Sequence, residues 1–180
     1  MTLSQKKVKI KNACLEDAKA IFNVVRQAFI KYKEGKQNPH LQESLEDVKE
    51  DIKNNIVLVL KQEGEIVGTL RLVDKTDEKK SNEKKEQDKK MKKVGKQKQT
   101  EGVYLKKFAI APGFQGQGFG TKLFKKAVNV ARDHGYQKIW LHSSTENKRL
   151  VNFYQNLGFK CIEINQDMGY ERGLWMKDLS

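Results

Sequence analysis

The sequence is poor in the residues that mark secreted, metal-binding or membrane-spanning proteins. Its 180 residues include only two cysteines. Cys14 and Cys161 offer no metal-ligand spacing and allow at most one disulfide, so we expect free buried thiols and no metal ion. No apolar run reaches the roughly 18 residues that a membrane helix needs. The first residues also lack the apolar stretch of a secretory signal, so we expect a soluble, cytoplasmic protein with no membrane partner.

One segment has almost no apolar side chains. Residues 75–98 carry 11 lysines against 5 acids, with Met91 and Val94 as the only large apolar residues. Such a segment buries too little surface to offset its ordering entropy. We therefore predict a single domain over residues 1–180, with a mobile lysine-rich insertion at 75–100. No internal repeat is visible.

Glycine is concentrated in one place. Three glycines fall within the six residues 115–120. They separate a strand-like segment at 103–110 from a helical pattern that runs from Thr121 to His134. Backbone N–H groups at such a turn face an anion, and the helix dipole adds about half a positive charge there. The run predicts a phosphate-bearing ligand, and a flexible turn is the alternative.

The spacing of these glycines excludes two common nucleotide-binding loops. A dinucleotide fingerprint needs G-x-G-x-x-G, whereas this run has G-x-G-x-G. A Walker loop needs Gly-Lys followed by Ser or Thr, whereas Gly120 is followed by Thr121 and Lys122. The pattern Q-x-x-G-x-G, placed after a strand that ends in Ile-Ala-Pro, instead resembles the acetyl-CoA loop of the GNAT family of N-acetyltransferases.

A second block is similar to another motif of that family. Residues 147–159 have the sequence N-K-R-L-V-N-F-Y-Q-N-L-G-F, which resembles the family pattern N-x-x-[AL]-x-x-F-Y-x-x-x-G-F. Alone, the block is equally typical of an amphipathic helix ended by Gly158. Both blocks occur in the expected order, separated by one helix and one strand. On these motifs, which occupy residues 103–159, the chain is identified as a member of the GNAT family.

The resemblance implies an α/β fold with a mixed, mostly antiparallel central sheet flanked by helices. The apolar patterns predict the order β-α-α-β-β-β-α-β-α-β-β, with the lysine-rich insertion between strands 3 and 4. A first helix is predicted over 12–29, and Ser44 with Asp47 is predicted to cap the second. The next two strands are predicted to form a hairpin around Glu63-Gly64.

The resemblance also implies direct acetyl transfer from acetyl-CoA to a primary amine. In the family, the strand before the loop splays from its neighbour and its backbone meets the thioester and pantetheine, which assigns Phe108 and Ile110 here. Asn147 would bond the pantetheine arm, or serve only as a helix cap. The residues implied to wrap the pyrophosphate are Gln115, Gly116, Gln117, Gly118, Gly120 and Thr121.

Tyr154 is the candidate catalytic acid. In the resembling enzymes, a tyrosine in this F-Y-x-x-x-G-F frame lies beside the CoA sulfur and can protonate the thiolate. The alternative is a half-buried core tyrosine. The general base is left open between Glu101, Glu146 and an ordered water, and His142 is interpreted as structural.

The net charge of +13 has two sources. The segment 75–98 contributes 11 − 5 = +6, and residues 106–160 contribute 10 − 2 = +8, where a phosphate-rich cofactor would bind. The segment 75–98 contains neither arginine nor aromatic residues, which argues against specific recognition of nucleic acid. A nucleic-acid-associated or ribosome-associated protein that uses this segment stays an alternative. Another is a CoA-binding protein without catalysis.

The acceptor is expected to be a small-molecule or protein amine, and a homodimer is left open. Acidic residues near the second helix, among them Glu43, Glu46 and Asp47, would attract a cationic amine. A solvated helix face is the simpler interpretation of these residues. The sequence therefore does not identify the acceptor.

Overall fold

The structure, a computed structural model, describes residues 7–30, 41–74, 102–166 and 170–180. The predicted insertion at 75–100 lies outside these residues. The elements follow the predicted order. The strands are β1 (Val8–Asn12), β2 (Ile56–Gln62), β3 (Glu65–Asp74), β4 (Val103–Ile110), β5 (Lys138–Ser144), β6 (Lys160–Asn165) and β7 (Arg172–Asp178). The helices are α1 (Ala18–Phe29), α2 (Leu45–Asn54), α3 (Phe119–Asp133) and α4 (Lys148–Asn156).

Within the described residues, the strands form one seven-stranded sheet in the order β1-β2-β3-β4-β5-β7-β6. Among these strands only β4 and β5 run parallel, and the other neighbours are antiparallel. The predicted mixed, mostly antiparallel sheet is confirmed. The β2–β3 hairpin turns at Glu63 and Gly64, whose φ angles are +52° and +93°. Two consecutive positive φ angles are what a tight two-residue hairpin turn requires.

Helices cover both faces of this sheet. The larger core cluster joins α3 and α4 to strand residues such as Leu105 and Leu141. The smaller cluster joins α1 and α2 to residues such as Val57 and Val59. We call these two sides the α3–α4 face and the α1–α2 face. Among the residues described, no helix is long and apolar enough to cross a membrane.

The first helix starts later than predicted. The prediction of a helix over 12–29 is wrong at its beginning, because Asn12 ends β1 in register with Leu58. A 3-10 turn then precedes α1, and Asp17 at its end is buried. The Asp17 carboxylate lies 2.9 Å from Lys61 Nζ and 3.0 Å from Lys11 Nζ. The residues before α1 are therefore held by pairing with β2 and by the ion pairs of Asp17, and the helix begins after them.

The prediction of free thiols is confirmed, but the prediction that they are buried is wrong. Cys14 and Cys161 are both unpaired and exposed. Cys14 caps the short 3-10 turn before α1. Cys161 lies on β6, which is an edge strand of the sheet and has mostly exposed side chains.

Candidate active site

A gap opens in the sheet between β4 and β5. The two strands are joined by only two residue pairs, Val103 with Ile139 and Tyr104 with Trp140. Beyond these pairs β4 continues along β3, while β5 continues along β7. Within the described part of the chain, no strand pairs with this edge of β4 beyond Tyr104. An unpaired strand edge presents backbone N–H and C=O groups to a ligand. We call this gap the wedge.

A β-bulge accompanies the separation of the two strands. Arg71 and Thr69 of β3 are in register with Lys106 and Ala109 of β4, so β4 has one extra residue here. Lys107 within the bulge has φ = +50°, which is uncommon for a residue other than glycine. A bulge bends its strand and increases the local twist. The bulge therefore bends β4 just before Phe108 and Ile110, the predicted backbone contacts of the cofactor.

The glycine-rich loop connects β4 to the N-terminus of α3. Gly116 and Gly118 both have φ = +78°, and no atom lies within 4 Å of the place where their Cβ would stand. These two glycines are needed for backbone conformation and not for close packing. The first bond within α3 runs from the Lys122 N–H to the Gly118 carbonyl. The N–H groups of the preceding turn, including those of Gly120 and Thr121, have no partner within the helix and suit an anion.

Two glutamine side chains brace this loop. Gln115 Nε2 donates a hydrogen bond to the Ile110 carbonyl at 2.9 Å, which ties the loop to the end of β4. Gln117 Nε2 donates to the Gly113 carbonyl at 3.1 Å. The sequence suggested that both residues wrap the pyrophosphate. The structure gives their side chains a role in shaping the loop, and contact with phosphate stays a prediction.

Gly120 lies where β4, α3 and α4 meet. A Cβ at this position would stand 3.3 Å from the Phe153 ring and 3.7 Å from the Phe108 ring. The centroids of these two rings are 5.8 Å apart. Gly120 therefore allows close packing of three elements beside the wedge. The sequence argument, which explained this glycine by phosphate alone, missed that role.

Tyr154 points its ring into the core of the α3–α4 face. It is 9% exposed. Its ring centroid lies 5.4 Å from that of Phe153, 5.7 Å from that of Phe159 and 6.3 Å from that of Trp175. These contacts fix the orientation of the ring. They agree with both interpretations from the sequence, so the acid role of the hydroxyl stays a prediction.

The Asn147 side chain caps a helix, which is one of its two interpretations from the sequence. Its Oδ1 accepts a hydrogen bond from the Leu150 N–H at 3.2 Å, and Asn147 is the N-cap of α4. Contact between its amide and pantetheine stays a prediction. The two carboxylates considered as bases receive no support, because Glu101 lies outside the described residues and Glu146 is exposed.

The α1–α2 face of the wedge carries a pair that the sequence argument missed. The Tyr104 hydroxyl and His142 Nδ1 are hydrogen-bonded, and the two ring centroids are 5.6 Å apart. Lys106 Nζ lies 5.5 Å from the centroid of the Tyr104 ring. The signal in the sequence is a polar aromatic residue between the apolar residues Val103 and Leu105.

The same face carries a buried group of charges. Arg71 is 1% exposed, and its Nη2 donates to Glu43 Oε2 at 3.0 Å while its Nη1 contacts Asp51. Lys107 Nζ lies 3.7 Å from Glu43 Oε1. Burial lowers the pKa of Lys107, and Glu43 offsets part of that effect. We call Arg71, Glu43, Asp51 and Lys107 the charge cluster. Its signal in the sequence is an arginine inside an otherwise apolar strand.

Other carboxylates near α2 also have partners within the protein. The predicted capping box is confirmed, because Asp47 accepts a hydrogen bond from the Ser44 N–H at 2.8 Å and Ser44 accepts one from the Asp47 N–H. Glu46 lies 2.7 Å from Lys49, and Glu43 belongs to the charge cluster. These contacts favour structural and solvated roles over a surface that attracts a cationic amine.

The described residues thus combine a gap along the edge of β4 with a glycine-rich turn whose N–H groups suit an anion. Among the described residues, no group of three His, Cys, Asp or Glu side chains could hold a metal ion. The chain belongs to the acetyltransferase (GNAT) family, whose profile matches residues 20–159. The assignment made from the two sequence motifs is confirmed.

Characterised relatives match a limited stretch of the chain. The thialysine N-epsilon-acetyltransferase of Mus musculus is 41% identical over 56 residues, which are 31% of this chain and 33% of that enzyme. The N-alpha-acetyltransferase 30 of Schizosaccharomyces pombe is 36% identical over 56 residues, 31% of this chain and 37% of that protein. The chain thus matches about a third of the length of these curated relatives.

The whole fold is shared with solved acetyltransferases. The structure of YncA from Salmonella typhimurium with its cofactor acetyl-CoA superposes with a TM-score of 0.73. The match has 16% sequence identity and covers 97% of this chain and 95% of that one. At this identity the similarity supports the fold and leaves the acceptor open.

Proposed function

We propose that this protein transfers the acetyl group of acetyl-CoA directly to a primary amine. The observation that carries the proposal is the wedge, whose unpaired β4 edge leads to the free N–H groups at the start of α3. In this proposal the pantetheine arm lies along the wedge beside the Phe108 and Ile110 backbone and the Asn147 amide. The pyrophosphate lies against Gln115, Gly116, Gln117, Gly118, Gly120 and Thr121.

Direct transfer requires three things of the protein. The thioester carbonyl must be polarised, the attacking amine must be neutral, and the departing thiolate benefits from a proton. The unpaired backbone N–H groups of β4 serve the first requirement. Tyr154 serves the third, because its ring is held on the α3–α4 face beside Phe153, which borders the cofactor loop through Gly120.

The acceptor class is tested with a panel of amines. The names of the two relatives point to an ε-amine and to an α-amine, so the panel contains thialysine, lysine, amino acids, peptides with free N-termini, and polyamines. We expect at least one to cause release of CoA thiol, and calorimetry to show acetyl-CoA binding. Binding without thiol release for any amine would favour a CoA-binding protein without catalysis. Absence of binding would contradict both functions.

The Tyr154→Phe variant tests the proposed acid. Loss of a general acid typically costs 10²-fold or more, so we expect kcat to fall about 100-fold. The affinity for acetyl-CoA should stay within about 2-fold, because the phenyl ring keeps the packing against Phe159 and Trp175. Tyr136→Phe, which removes a phenol hydroxyl bonded to Asp74, is the matched control and should keep the wild-type rate. An unchanged kcat in Tyr154→Phe would remove the acid role.

A further inference from the structure

Tyr104 and His142 bridge the wedge at the place where β4 and β5 part. Tyr104 belongs to the last residue pair that joins the two strands. His142 lies two residues further along β5, where β4 has already left. Their hydrogen bond therefore spans the closed end of the wedge. A side chain at this point would contact a ligand that extends to the closed end of the wedge.

The pair lies on the opposite face from Tyr154. Leu105 and Leu141 belong to the core of the α3–α4 face, which also contains Tyr154. Successive strand residues point to opposite faces, so Tyr104 and His142 point to the α1–α2 face. With the candidate acid on the cofactor side, the amine has to approach from the other side. A group that takes a proton from the amine belongs on the face where this pair is found.

We propose that Tyr104 orients His142 and that Nε2 of His142 accepts the proton that the acceptor amine loses. The inference rests on the proposed function and names the base of that same site. In this proposal Tyr104 acts as the positioning residue, and its oxygen accepts the hydrogen bond from Nδ1–H. A neutral imidazole carries one N–H, so a proton on Nδ1 leaves the lone pair on Nε2.

The protons balance in this scheme. The amine nitrogen forms a bond to the acetyl carbon, and the bond from that carbon to sulfur breaks. Nitrogen gives one proton to His142 Nε2, and the CoA thiolate takes one proton from the Tyr154 hydroxyl. Solvent then removes the proton from His142 and restores that of Tyr154, so the net products are the amide and the CoA thiol.

Charged residues lie on the elements beside the pair. Lys106 lies over the Tyr104 ring, and Arg172 on β7 is in register with Ser144, two residues beyond His142. The Glu171 carboxylate accepts a hydrogen bond from the Thr145 hydroxyl.

The first test does not depend on turnover. Nitrogen-15 NMR of the imidazole, assigned by comparison with His142→Gln, should show Nδ1 protonated and Nε2 unprotonated in the neutral ring of the CoA complex. Tyr104→Phe should abolish this preference. A neutral His142 that carries its proton on Nε2 would overturn the proposal, because that nitrogen then has no lone pair to accept a proton.

The second test uses the pH dependence of acetylation with the best amine of the panel. His142→Gln should lower kcat/KM about 100-fold at neutral pH, within the range of general base catalysis. The loss should shrink toward about pH 9.5, because hydroxide becomes available there to take the proton in place of the imidazole. His134→Gln is the matched control, because His134 binds the Val130 carbonyl at the end of α3, and it should keep the wild-type profile.

A purely structural role for His142 predicts a different result. The loss would then be equal at every pH, and this outcome would overturn the proposal. If the wild-type protein released no thiol with any amine, the proposed function would fail. The tautomer measured by NMR would still decide whether His142 is oriented as proposed.

Discussion

The two faces of the sheet are stabilised by different interactions. On the α3–α4 face, aromatic rings pack against one another, as Tyr154 does edge to face against Phe159. On the α1–α2 face, apolar side chains share the space with Asp17 and the charge cluster, where each buried charge has an opposite partner. The comparison shows that the α3–α4 face depends on the shapes of its side chains, whereas the α1–α2 face depends on the presence of every member of an ionic group.

The largest effect is expected when the charge cluster loses its central member. Arg71→Met should lower the free energy of unfolding by about 3 kcal/mol, because Glu43 and Asp51 lose their common partner in a buried setting. Urea unfolding measures this value. Adding Glu43→Gln should restore part of the loss, since one unpaired charge is then removed.

The matched control for this variant is an exposed pair. Lys49→Met breaks the surface contact with Glu46 and should change stability by less than about 0.5 kcal/mol. Equal losses for Arg71→Met and Lys49→Met would mean that burial gives the charge cluster no special weight. The difference between the two faces would then disappear.

A smaller effect is expected in the cofactor loop. Gly118→Ala should weaken acetyl-CoA binding about 10-fold, because alanine at a positive φ costs about 1–2 kcal/mol and the loop will relax away from its shape. Gly135→Ala is a close control, since Gly135 has the same φ of +78° and equally open surroundings at the other end of α3. It should lose similar stability and keep its affinity in calorimetry. Equal acetyl-CoA affinities for the two variants would show that the conformation of the loop does not contribute to cofactor binding.

The smallest effect concerns the response of the α1–α2 face to acid. Burial opposes the ionisation of Asp17, but hydrogen bonds from Lys61, Cys14 and Lys11 outweigh it, so its pKa lies well below the usual 3.8. A carboxyl with a depressed pKa stabilises the fold above its unfolded pKa, and this contribution is lost as the pH falls toward the folded value.

Asp17→Asn should therefore be less stable than the wild type by about 1 kcal/mol at pH 7. Its stability should also decline less between about pH 5 and pH 2.5, because the carboxyl that takes up a proton in the unfolded chain over this window has been removed. Urea unfolding at both pH values measures the two slopes. Parallel slopes would exclude Asp17 as a source of the acid sensitivity.

Local signals explain which parts of the fold could be predicted from the sequence. The bounds of β4, Val103–Ile110, agree with the prediction because they depend on an apolar run and a following Pro-Gly. The start of α1 could not be found in this way. Whether Asn12 continues a strand depends on its pairing with Leu58 in β2. The residues next to Asn12 in the sequence carry no signal of that pairing.

The candidate site also contains features that depend on neighbouring residues and features that depend on residues far apart in the sequence. The loop glycines are close in sequence, so their spacing predicted the turn. Tyr104 and His142 are 38 residues apart, and Arg71 and Glu43 are 28 apart. Only the folded sheet brings them together. The sequence did carry weaker signs of both, namely an arginine within an apolar strand and a polar aromatic residue between Val103 and Leu105.

The short contact between β4 and β5 has a mechanical consequence. The sheet is in effect two ribbons, one of four strands and one of three, clipped together at Val103 and Tyr104. Few backbone hydrogen bonds therefore resist a force that pulls the two ribbons apart. A molecule bound between them would add contacts where β4 and β5 share only two residue pairs, so filling the wedge would also strengthen the sheet.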